Sequence, residues 1–443
     1  MTRSKVPLHE LCDAIVDCPH STPVWTDSGK VVLRNQNIRN GRLDLSSPSF
    51  TDNEHFRQRI RRAMPRAGDL VMTREAPMGE VCEIPEGVEC CLGQRMVLLR
   101  PNDKKCSGRY LLYALQSREV RHDILINEGT GSTVSNLRIP ILERLPIPVF
   151  PLREQQAIAC ILGTLDDKIE LNRRRNRTLE AMARAIFQSW FVDFDPVKAK
   201  AAGRTPPGLA PELAALFPDR FEDSPLGPIP AGWEVRCLGE TVRIIKGRSY
   251  KSEELIDSDT ALVTLKSFAR GGGYRPDGLK PFAGPYKLEQ VVEPGEMVIA
   301  CTDITQAAEV IGRPAIVGST GRYRTLVASL DTLVVRPVGH AMTRSMLYFL
   351  CRTEAFAAHT YAHTTGTTVL HLGKDAVPSF KYAHPPAGIM DRFDTFGSLA
   401  LQRINALEGE SRTLAALRDA LLPKLISGEL RVPDAERIVG RAT

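Results

Sequence analysis

A short acidic and basic cluster in this sequence resembles part of a metal-dependent catalytic site. Asp166-Asp167-Lys168 ends as the D-x-K motif of nucleases does, and its carboxylates have the chemistry to bind a divalent cation. Nucleases carry this motif on a strand, whereas the periodicity of the surrounding apolar residues predicts a helix. We therefore interpret the cluster as part of a solvated helix face, and a stand-alone metal-dependent nuclease remains an alternative.

A second cluster has the residue types of a zinc site. His359 and His363 lie one helical turn apart, and Cys351 and His371 are near them in the sequence. Thr360 occupies the position at which a zinc protease would carry its catalytic glutamate. A surface or DNA-facing helix is the preferred interpretation, and we predict no metal site in this chain.

Motifs for nucleotide-dependent chemistry are missing from the sequence. Gly373-Lys374 is followed by Asp375 and lacks the upstream glycine of a phosphate-binding loop. The sequence contains neither the F-x-G-x-G nor the [DN]-P-P-[YF] motif of adenine methyltransferases, and Asp195-Pro196-Val197 is the nearest fragment. We therefore expect no ATPase and no methyltransferase in this chain, and no cofactor bound to it.

Length and composition indicate a globular protein with more than one core. The 443 residues exceed an ordinary single domain, and 43% hydrophobic with 25% charged residues is close to the globular average. The formal net charge of +6 is compatible with nucleic acid without being diagnostic. No segment approaches the roughly 20 apolar residues of a membrane span, so a cytoplasmic protein is expected. The ten cysteines form no C-x-x-C pair, which indicates reduced thiols.

The elements that must position any site are arranged in a tandem repeat. Similar segments recur in the same order: 68–71 with 295–298, 100–101 with 336–337, 130–134 with 365–369, and 177–179 with 412–414. Each half begins with short β-like runs broken by Gly and Pro, and ends in a long periodic segment. The sequence therefore predicts a mixed α/β fold (α+β) made of two similar halves.

Each long segment has the apolar spacing of a coiled-coil seam. A helix from about 152 to 191 would be on the order of 60 Å long, which suits a spacer. Polar residues in such a seam fix register and partner choice, as Asn172 and Asn176 would here, whereas a helix packed on one globule is the alternative. The predicted seam positions are Ile158, Leu162, Leu165, Ile169, Asn172, Asn176, Leu179 and Ile186 in the first helix, and Ile404, Leu407, Leu414 and Leu421 in the second.

Several of these segments resemble one family. The sequence PLREQQAIA at 151–159, LDDKIELN at 165–172, FQSWFVDFDPV at 187–197 and GWEV at 232–235 resembles the specificity subunit of type I restriction-modification systems. The likeness covers the whole architecture and is strongest over residues 150–200. In the C-terminal helix it is limited mainly to 412–414 and 424–428.

The resemblance implies a non-catalytic subunit with two target-recognition domains, held apart by an antiparallel pair of long helices. The expected partners are double-stranded DNA, two modification subunits that carry S-adenosylmethionine, and two restriction subunits that use ATP and Mg²⁺. The expected location is the cytoplasm of a bacterium or archaeon, on the nucleoid. The expected boundaries are 1–150 and 233–385 for the recognition domains, 151–194 and 386–428 for the helices, 195–232 for a semi-rigid proline-rich linker, and 429–443 for a tail.

Residue chemistry then ranks the candidate DNA contacts. Arg and Lys pair with guanine and Asn and Gln with adenine, while phosphate contacts only position a protein. The leading base-reading segments are 34–39 and its counterpart 264–270. The candidates in the first half are Arg34, Asn35, Gln36, Asn37, Arg39, Arg57, Arg59, Arg61, Arg62, Arg74, Gln94 and Arg95. Those in the second half are Lys266, Ser267, Arg270, Arg275, Asp303, Gln306 and Arg324.

One further segment occurs in both halves and is therefore expected to have a role common to both half-sites. Its hydroxyls either hold a phosphate, or its glycine makes a structural turn at the start of the last strand. The residues concerned are Thr130, Ser132 and Thr133 in the first copy, and Thr365, Thr367 and Thr368 in the second.

The copies differ in their presumed reading loops. We therefore predict an asymmetric bipartite target whose two halves lie about one helical turn, roughly 34 to 36 Å, apart. Besides the nuclease, the remaining alternative is a coiled-coil scaffold that binds protein.

Overall fold

The computed structural model describes residues 3–39, 41–75, 77–127, 136–305, 307–318 and 320–440. The chain forms two compact units. Unit 1 comprises Met1–Leu171 and Ser411–Thr443, and unit 2 comprises Asn172–Glu410. Each of the two long helices therefore contributes one half to each unit.

Unit 1 is a mixed α/β body. Its strands are β1 Ser4–Pro7, β2 Cys12–Asp17, β3 Lys30–Leu33, β4 Ile38–Arg39, β5 Arg42–Leu43, β6 Ser49–Thr51, β7 Leu70–Thr73, β8 Val81–Glu83, β9 Cys90–Leu92, β10 Met96–Pro101 and β11 Pro146–Val149. Its helices are α1 Leu8–Leu11, α2 Asn53–Arg59, α3 Gly108–Gln116, α4 Arg118–Ile126, α5 Ile139–Glu143 and the first half of α6 Leu152–Phe191. The sheets have the strand orders β2-β10-β7-β8, β6-β3-β9 and β1-β11, and β4 pairs with β5.

The central sheet of unit 1 is buried on both faces. Because successive side chains of a strand point to opposite faces, Leu70 and Met72 of β7 join the core that contains α3 and α6. Val71 between them packs instead with Leu33 of β3. Residues 70–72 are all apolar and Thr73 follows them, as expected for a strand whose two faces are both covered.

Unit 2 contains the second set of strands and helices. Its strands are β12 Phe221–Glu222, β13 Ile229–Pro230, β14 Glu234–Cys237, β15 Val242–Lys246, β16 Thr260–Val263, β17 Lys280–Pro281, β18 Met297–Ala300, β19 Thr302–Asp303, β20 Pro314–Ile316, β21 Thr325–Ala328, β22 Thr332–Pro337, β23 Thr364–Thr365, β24 Leu370–Leu372 and β25 Lys381–His384. Its helices are α7 Asp195–Ala201, α8 Pro211–Ala214, α9 Arg344–Cys351, α10 Glu354–Ala362 and the first half of α11 Ala387–Ser427.

The two units share one topology. The sheets β15-β22-β18-β20, β17-β16-β21 and β14-β25 of unit 2 have the strand orders of β2-β10-β7-β8, β6-β3-β9 and β1-β11 in unit 1. A parallel strand pairing recurs as well, between β3 and β9 and between β16 and β21. The predicted internal repeat and mixed α/β fold are confirmed.

A buried ion pair recurs at the same place in both units. Arg100 donates from Nε and Nη2 to Asp69 at 2.8 and 2.7 Å, and Arg336 donates in the same way to Glu296 at 2.7 and 3.0 Å. Each acid follows a glycine of positive φ, Gly68 or Gly295, which turns the chain into the strand. The similarity of segments 68–71 and 295–298 therefore has a structural cause.

The Glu296 pair predicts a specific acid sensitivity. Burial raises the pKa of Glu296, but hydrogen bonds from Arg336 and from the Glu293 amide outweigh that effect and lower it below its ordinary value. The stabilisation by this carboxylate is therefore present above the unfolded-state pKa, about 4.3, and is lost as the pH falls through the lower folded-state value. Glu296→Gln should cost about 3 kcal/mol at pH 7, and the difference in unfolding free energy from the wild type should shrink below about pH 4.

The measurement is thermal or urea unfolding of the wild type and the variant between pH 3 and 7. Glu289→Gln is the control, because Glu289 is exposed and pairs with Arg243 at the surface. A Glu296→Gln deficit that stays constant down to pH 3 would refute the assignment.

The long helices, α6 at Leu152–Phe191 and α11 at Ala387–Ser427, pack together. In unit 1, Leu162, Leu165 and Ile169 of α6 share a core with Leu414 and Leu421 near the end of α11. In unit 2, the later part of α6 packs instead on the beginning of α11, through Phe187 and Phe393. The pair is antiparallel, as the family resemblance implies.

Both seam asparagines bridge the two helices within unit 2. Asn172 Nδ2 donates to Glu410 Oε2 at 2.9 Å, and Asn176 Nδ2 donates to the Ile404 carbonyl at 3.4 Å. Leu407 is buried beside them, while Leu179 and Ile186 are half-buried. A register-setting role for the asparagines agrees with these bonds.

Residues 195–232 are not the semi-rigid linker that their prolines predict. This segment forms α7, α8 and the β12-β13 pair, and its Val197, Phe217 and Ile229 are buried in unit 2. Phe217 packs edge-on against Trp190 of α6, with ring centroids 5.4 Å apart. The expectation is corrected because apolar side chains between the prolines anchor the segment to the helix end.

The C-terminal segment is likewise folded. Residues Val432–Val439 form helix α12, and Ala435 and Val439 are buried in the core of unit 1. The expected tail at 429–443 thus contains a helix of the first unit.

Candidate nucleic-acid interface

A polar concavity of about 730 Å³ lies on unit 1 around the 3-10 turn Asn35–Asn37. It collects six of the predicted DNA contacts from two separate segments of the chain, 34–39 and 94–95. The lining residues are Pro23, Trp25, Arg34, Asn35, Gln36, Ile38, Arg39, Pro77, Glu80, Gly93, Gln94 and Arg95. Arg34, Gln36 and Arg39 are exposed there, so donors suited to guanine and adenine face the same solvent-filled space.

Asn37 supports this turn from inside the protein. Its Oδ1 accepts from the Arg34 amide at 2.9 Å, and its Nδ2 donates to the Asp44 carbonyl at 2.9 Å. Ser267 has the matching place in unit 2, where its Oγ accepts from the Thr264 amide at 3.2 Å. Both residues are buried, so we revise their predicted role from base contact to turn formation.

Two of the arginines that were predicted to contact DNA instead form hydrogen bonds inside unit 1. Arg59 is buried and donates to the carbonyls of Leu92 and Ser21 at 2.9 and 3.1 Å. Arg74 is buried, donates to the Leu137 carbonyl at 2.9 Å and pairs with Asp17. We revise both to structural residues, because their donors are satisfied by backbone carbonyls or by a carboxylate.

The other candidate arginines of residues 57–62 are exposed. Arg57 and Arg61 face solvent, and Arg62 is exposed with one guanidinium nitrogen 3.4 Å from the Asp17 carbonyl. They lie outside the residues that line the concavity. Contact with DNA by these three side chains stays a prediction.

Arg95 enters the concavity from a backbone conformation that favours glycine. Its φ is +69°, in the left-handed region, and its carbonyl accepts from the Arg74 amide at 2.8 Å. Its Nε pairs with Glu75 Oε2 at 2.7 Å, and the side chain stays mostly exposed. Strained conformations of this kind are concentrated at functional sites. Neighbouring Gln94 donates to the His20 carbonyl at 2.5 Å.

Trp25 is a site residue that the sequence reasoning missed. Its side chain is 45% exposed, and the Arg34 guanidinium lies over its ring at 5.1 Å from the centroid. A tryptophan within the polar segment 19–29 was the available signal, but nothing in the sequence connects it with Arg34.

Unit 2 displays a different set of polar groups at the corresponding turn, Leu265–Ser267. Lys266 and Arg270 are exposed, and Arg270 Nε lies 3.2 Å from Glu309. Arg275, also exposed, pairs with Asp277 through Nε at 3.2 Å. Arg324 is 3.5 Å from Asp259.

Asp303 is directed into the protein. Its carboxylate accepts from the amides of Thr305, Val310 and Ile311 at 2.6 to 2.9 Å, and it is buried. We therefore revise its role to organising the loop after β19. Gln306, also predicted to contact DNA, lies outside the described residues.

The repeated threonine segment forms a hairpin loop in unit 2. Strands β23 and β24 flank it, and Thr365, Thr367 and Thr368 are exposed. Gly366 has a φ of +100°, and a Cβ there would lie 2.1 Å from the Val369 carbonyl. The glycine is thus required by the turn, which lies before β24 and not at the last strand. Phosphate binding by the hydroxyls stays a prediction, and Thr130, Ser132 and Thr133 lie outside the described residues.

The geometry gives the nuclease alternative no support. Asp166 Oδ1 accepts from Arg42 at 2.8 Å and from Arg418 at 2.7 Å, while Oδ2 accepts from Tyr113 at 2.7 Å. Burial raises the pKa of Asp166, but the Arg418 charge and these hydrogen bonds outweigh it and lower the pKa. This carboxylate joins α6 to α3, to β5 and to α11 within unit 1.

The histidine cluster does not converge on a metal position. The rings of His359 and His363 stack with centroids 4.3 Å apart, and His363 Nδ1 is 2.8 Å from the His359 carbonyl. Burial and the neighbouring His363 lower the pKa of His359. Cys351 is fully buried, and in the described ranges no group of three potential ligands is placed to hold a metal.

Comparison with known proteins agrees with this architecture. Residues 24–181 match the family described as type I restriction modification DNA specificity domain. The MjaIX specificity subunit of Methanocaldococcus jannaschii is 26% identical over 83% of this chain and 78% of its own length. The HindI specificity subunit of Haemophilus influenzae is 23% identical over 76% of this chain and 80% of its own.

A solved structure shares the fold. The type I restriction-modification S subunit from M. genitalium is 16% identical, with a TM-score of 0.53 and 96% of both chains covered. The duplicated α/β units with paired long helices are therefore the fold that the two chains share. More particularly, the chain is related to type I restriction enzyme specificity subunits, as segments 151–172 and 187–197 predict.

None of the helices in the described part of the chain is long and apolar enough to cross a membrane.

Proposed function

We propose that this chain is the DNA specificity subunit of a type I restriction-modification complex, in which each unit reads one half of an asymmetric bipartite target. The main observation behind this proposal is that the two units have the same topology but present different exposed polar groups around the corresponding turn. Unit 1 presents Gln36 and Arg39 there, and unit 2 presents Lys266 and Arg270. A shared scaffold with unlike reading groups is what an asymmetric target requires.

In this proposal catalysis resides in partner subunits. Two modification subunits would supply S-adenosylmethionine-dependent adenine methylation, and two restriction subunits would supply ATP-dependent translocation and cleavage in the presence of Mg²⁺. The chain itself would be non-catalytic and cytoplasmic. Two observations support this division of roles: the similarity to specificity subunits, and the Asp166 carboxylate, which already accepts a hydrogen bond from Arg418.

The test is to express the chain with its modification subunits in a host free of adenine methylation, and to map methylated adenines across the genome. We expect one split motif that is absent when the chain is omitted. Replacing residues 1–150 with those of a related chain should change one half of the motif and leave the other. The proposal would be refuted if the methyltransferase is active but no methylated motif depends on the chain. Metal-dependent cleavage by the purified chain alone would refute it as well.

A further inference from the structure

Trp25 and Arg34 are each held rigidly through their backbones. The Val24 carbonyl accepts from Thr51 Oγ1 at 2.7 Å, and the Thr26 amide donates to the Phe50 carbonyl at 3.1 Å, so both sides of Trp25 are fixed to β6. Arg34 is fixed by the Asn37 side chain at its amide and by the Asn37 amide at its carbonyl, 2.9 and 2.8 Å away. The backbone positions from which the two side chains extend are thus fixed by hydrogen bonds.

The contact with Trp25 restricts where the Arg34 guanidinium can lie. Its central carbon lies over the indole, 5.1 Å from the ring centroid, and the side chain is exposed at the concavity. Among the residues that the structure describes, no carboxylate forms an ion pair with Arg34. Its in-plane N–H groups therefore remain available to a planar acceptor.

The N–H edge of the Arg34 guanidinium matches one kind of acceptor on DNA. A guanidinium presents parallel N–H donors, and the major-groove edge of guanine presents two acceptors, O6 and N7, at matching separation. A flexible arginine loses rotamer freedom on binding, whereas one already held against a ring loses less. The indole thus contributes preorganisation, and a lysine at this position would lack both the fork and the plane.

We propose that Arg34 reads a guanine in the half-site bound by unit 1, and that Trp25 is the positioning residue that holds its guanidinium in the reading plane. This inference rests on the proposed function and specifies its substrate chemistry at one position. Gln36, Arg39 and Arg95 around the same concavity then contact neighbouring bases or phosphates.

The experiment measures DNA affinity of the complex of this chain with its modification subunits, using the mapped target and duplexes altered at each base pair of the first half-site. The wild type should lose about tenfold to a hundredfold in affinity when one guanine is replaced by another base, and a similar factor when it becomes 7-deazaguanine, which lacks the N7 acceptor. Arg34→Ala should abolish that discrimination at this position alone.

Trp25 is tested through its coupling to Arg34. Trp25→Ala should reduce discrimination at the same guanine about tenfold, Trp25→Phe should restore most of it, and Trp25→Ala should add nothing in an Arg34→Ala background. Tyr361→Ala is the matched control, because Tyr361 is an exposed aromatic residue of unit 2. Thermal unfolding of each variant separates loss of reading from loss of fold.

The outcomes separate the two proposals. If the wild-type complex shows no preferred motif, the proposed function and this inference both fail. If the wild type reads a bipartite motif but Trp25→Ala leaves the guanine discrimination intact, or weakens binding to all sequences equally, only the inference fails. Additive effects of Trp25→Ala and Arg34→Ala would also overturn it.

Discussion

Asp166→Ala should destabilise unit 1 by about 3 kcal/mol or more without removing any catalytic activity. The carboxylate is 18% exposed and is the shared acceptor for Arg42, Arg418 and Tyr113. Truncation leaves the two guanidinium groups next to each other, where α6 meets α11 and β5, with only the more exposed carboxylates of Glu170 and Asp419 as counter-charges. The loss should appear as a lower denaturation midpoint in urea and a lower Tm.

Asp167→Ala is the matched control for that variant. Asp167 is the next residue on α6 and pairs with Arg109, but its side chain is 66% exposed. Exposed ion pairs contribute at most about 1 kcal/mol, so this control should unfold almost as the wild type does. Equal stabilities of the two variants would contradict the structural role of Asp166, and a nuclease activity lost with Asp166→Ala would contradict the proposed function.

Features of the fold that depend on local periodicity were predictable from the sequence. The apolar spacing around Ile158 and Leu165 gave α6 its bounds, because a helix must bury one continuous face. The duplication was visible because Gly68-Asp69 and Gly295-Glu296 carry a shared turn and ion pair. Such local requirements constrain residue identity, so they leave a record in the sequence.

Residue type alone did not separate contacts with DNA from contacts within the protein. Arg59 and Arg74 have the donors that guanine requires, but backbone carbonyls accept the same donors. The side chain of Asn37 is likewise hydrogen-bonded within a turn of the protein. Burial decides between these uses, and burial follows from tertiary packing that no short segment specifies.

The proline-rich segment 195–232 illustrates the same limit for the fold. Prolines predict an extended connection from local backbone preference. The segment is instead fixed by Phe217 and Val197, which pack on an aromatic cluster with Trp190 and Phe191 of α6. The cluster joins residues that are distant in the sequence, so local composition did not reveal it.

Removing three cations around the turn of unit 2 should weaken DNA binding strongly and affect only the second half-site. The variant is Lys266→Gln, Arg270→Gln and Arg275→Gln together, and all three side chains are exposed. For each of them that contacts a phosphate, the slope of log K against log salt should fall by about 0.9, and for each that reads a base, discrimination at one base pair should fall about tenfold or more. The measurement is binding by the complex between about 50 and 200 mM salt, together with motif mapping.

A control with the same change in charge isolates the position from the charge itself. Arg220, Arg243 and Lys287 are exposed cations of unit 2 outside residues 264–278, with carboxylates of Glu222 and Glu289 nearby. Their combined replacement by Gln should leave the motif unchanged and reduce the salt slope little, because they make no predicted phosphate contact. If the two triple variants lose affinity equally, only net charge matters and the turn at 265–267 is not the reading element. A changed first half-site in the Lys266 variant would mean that the two units do not read independently.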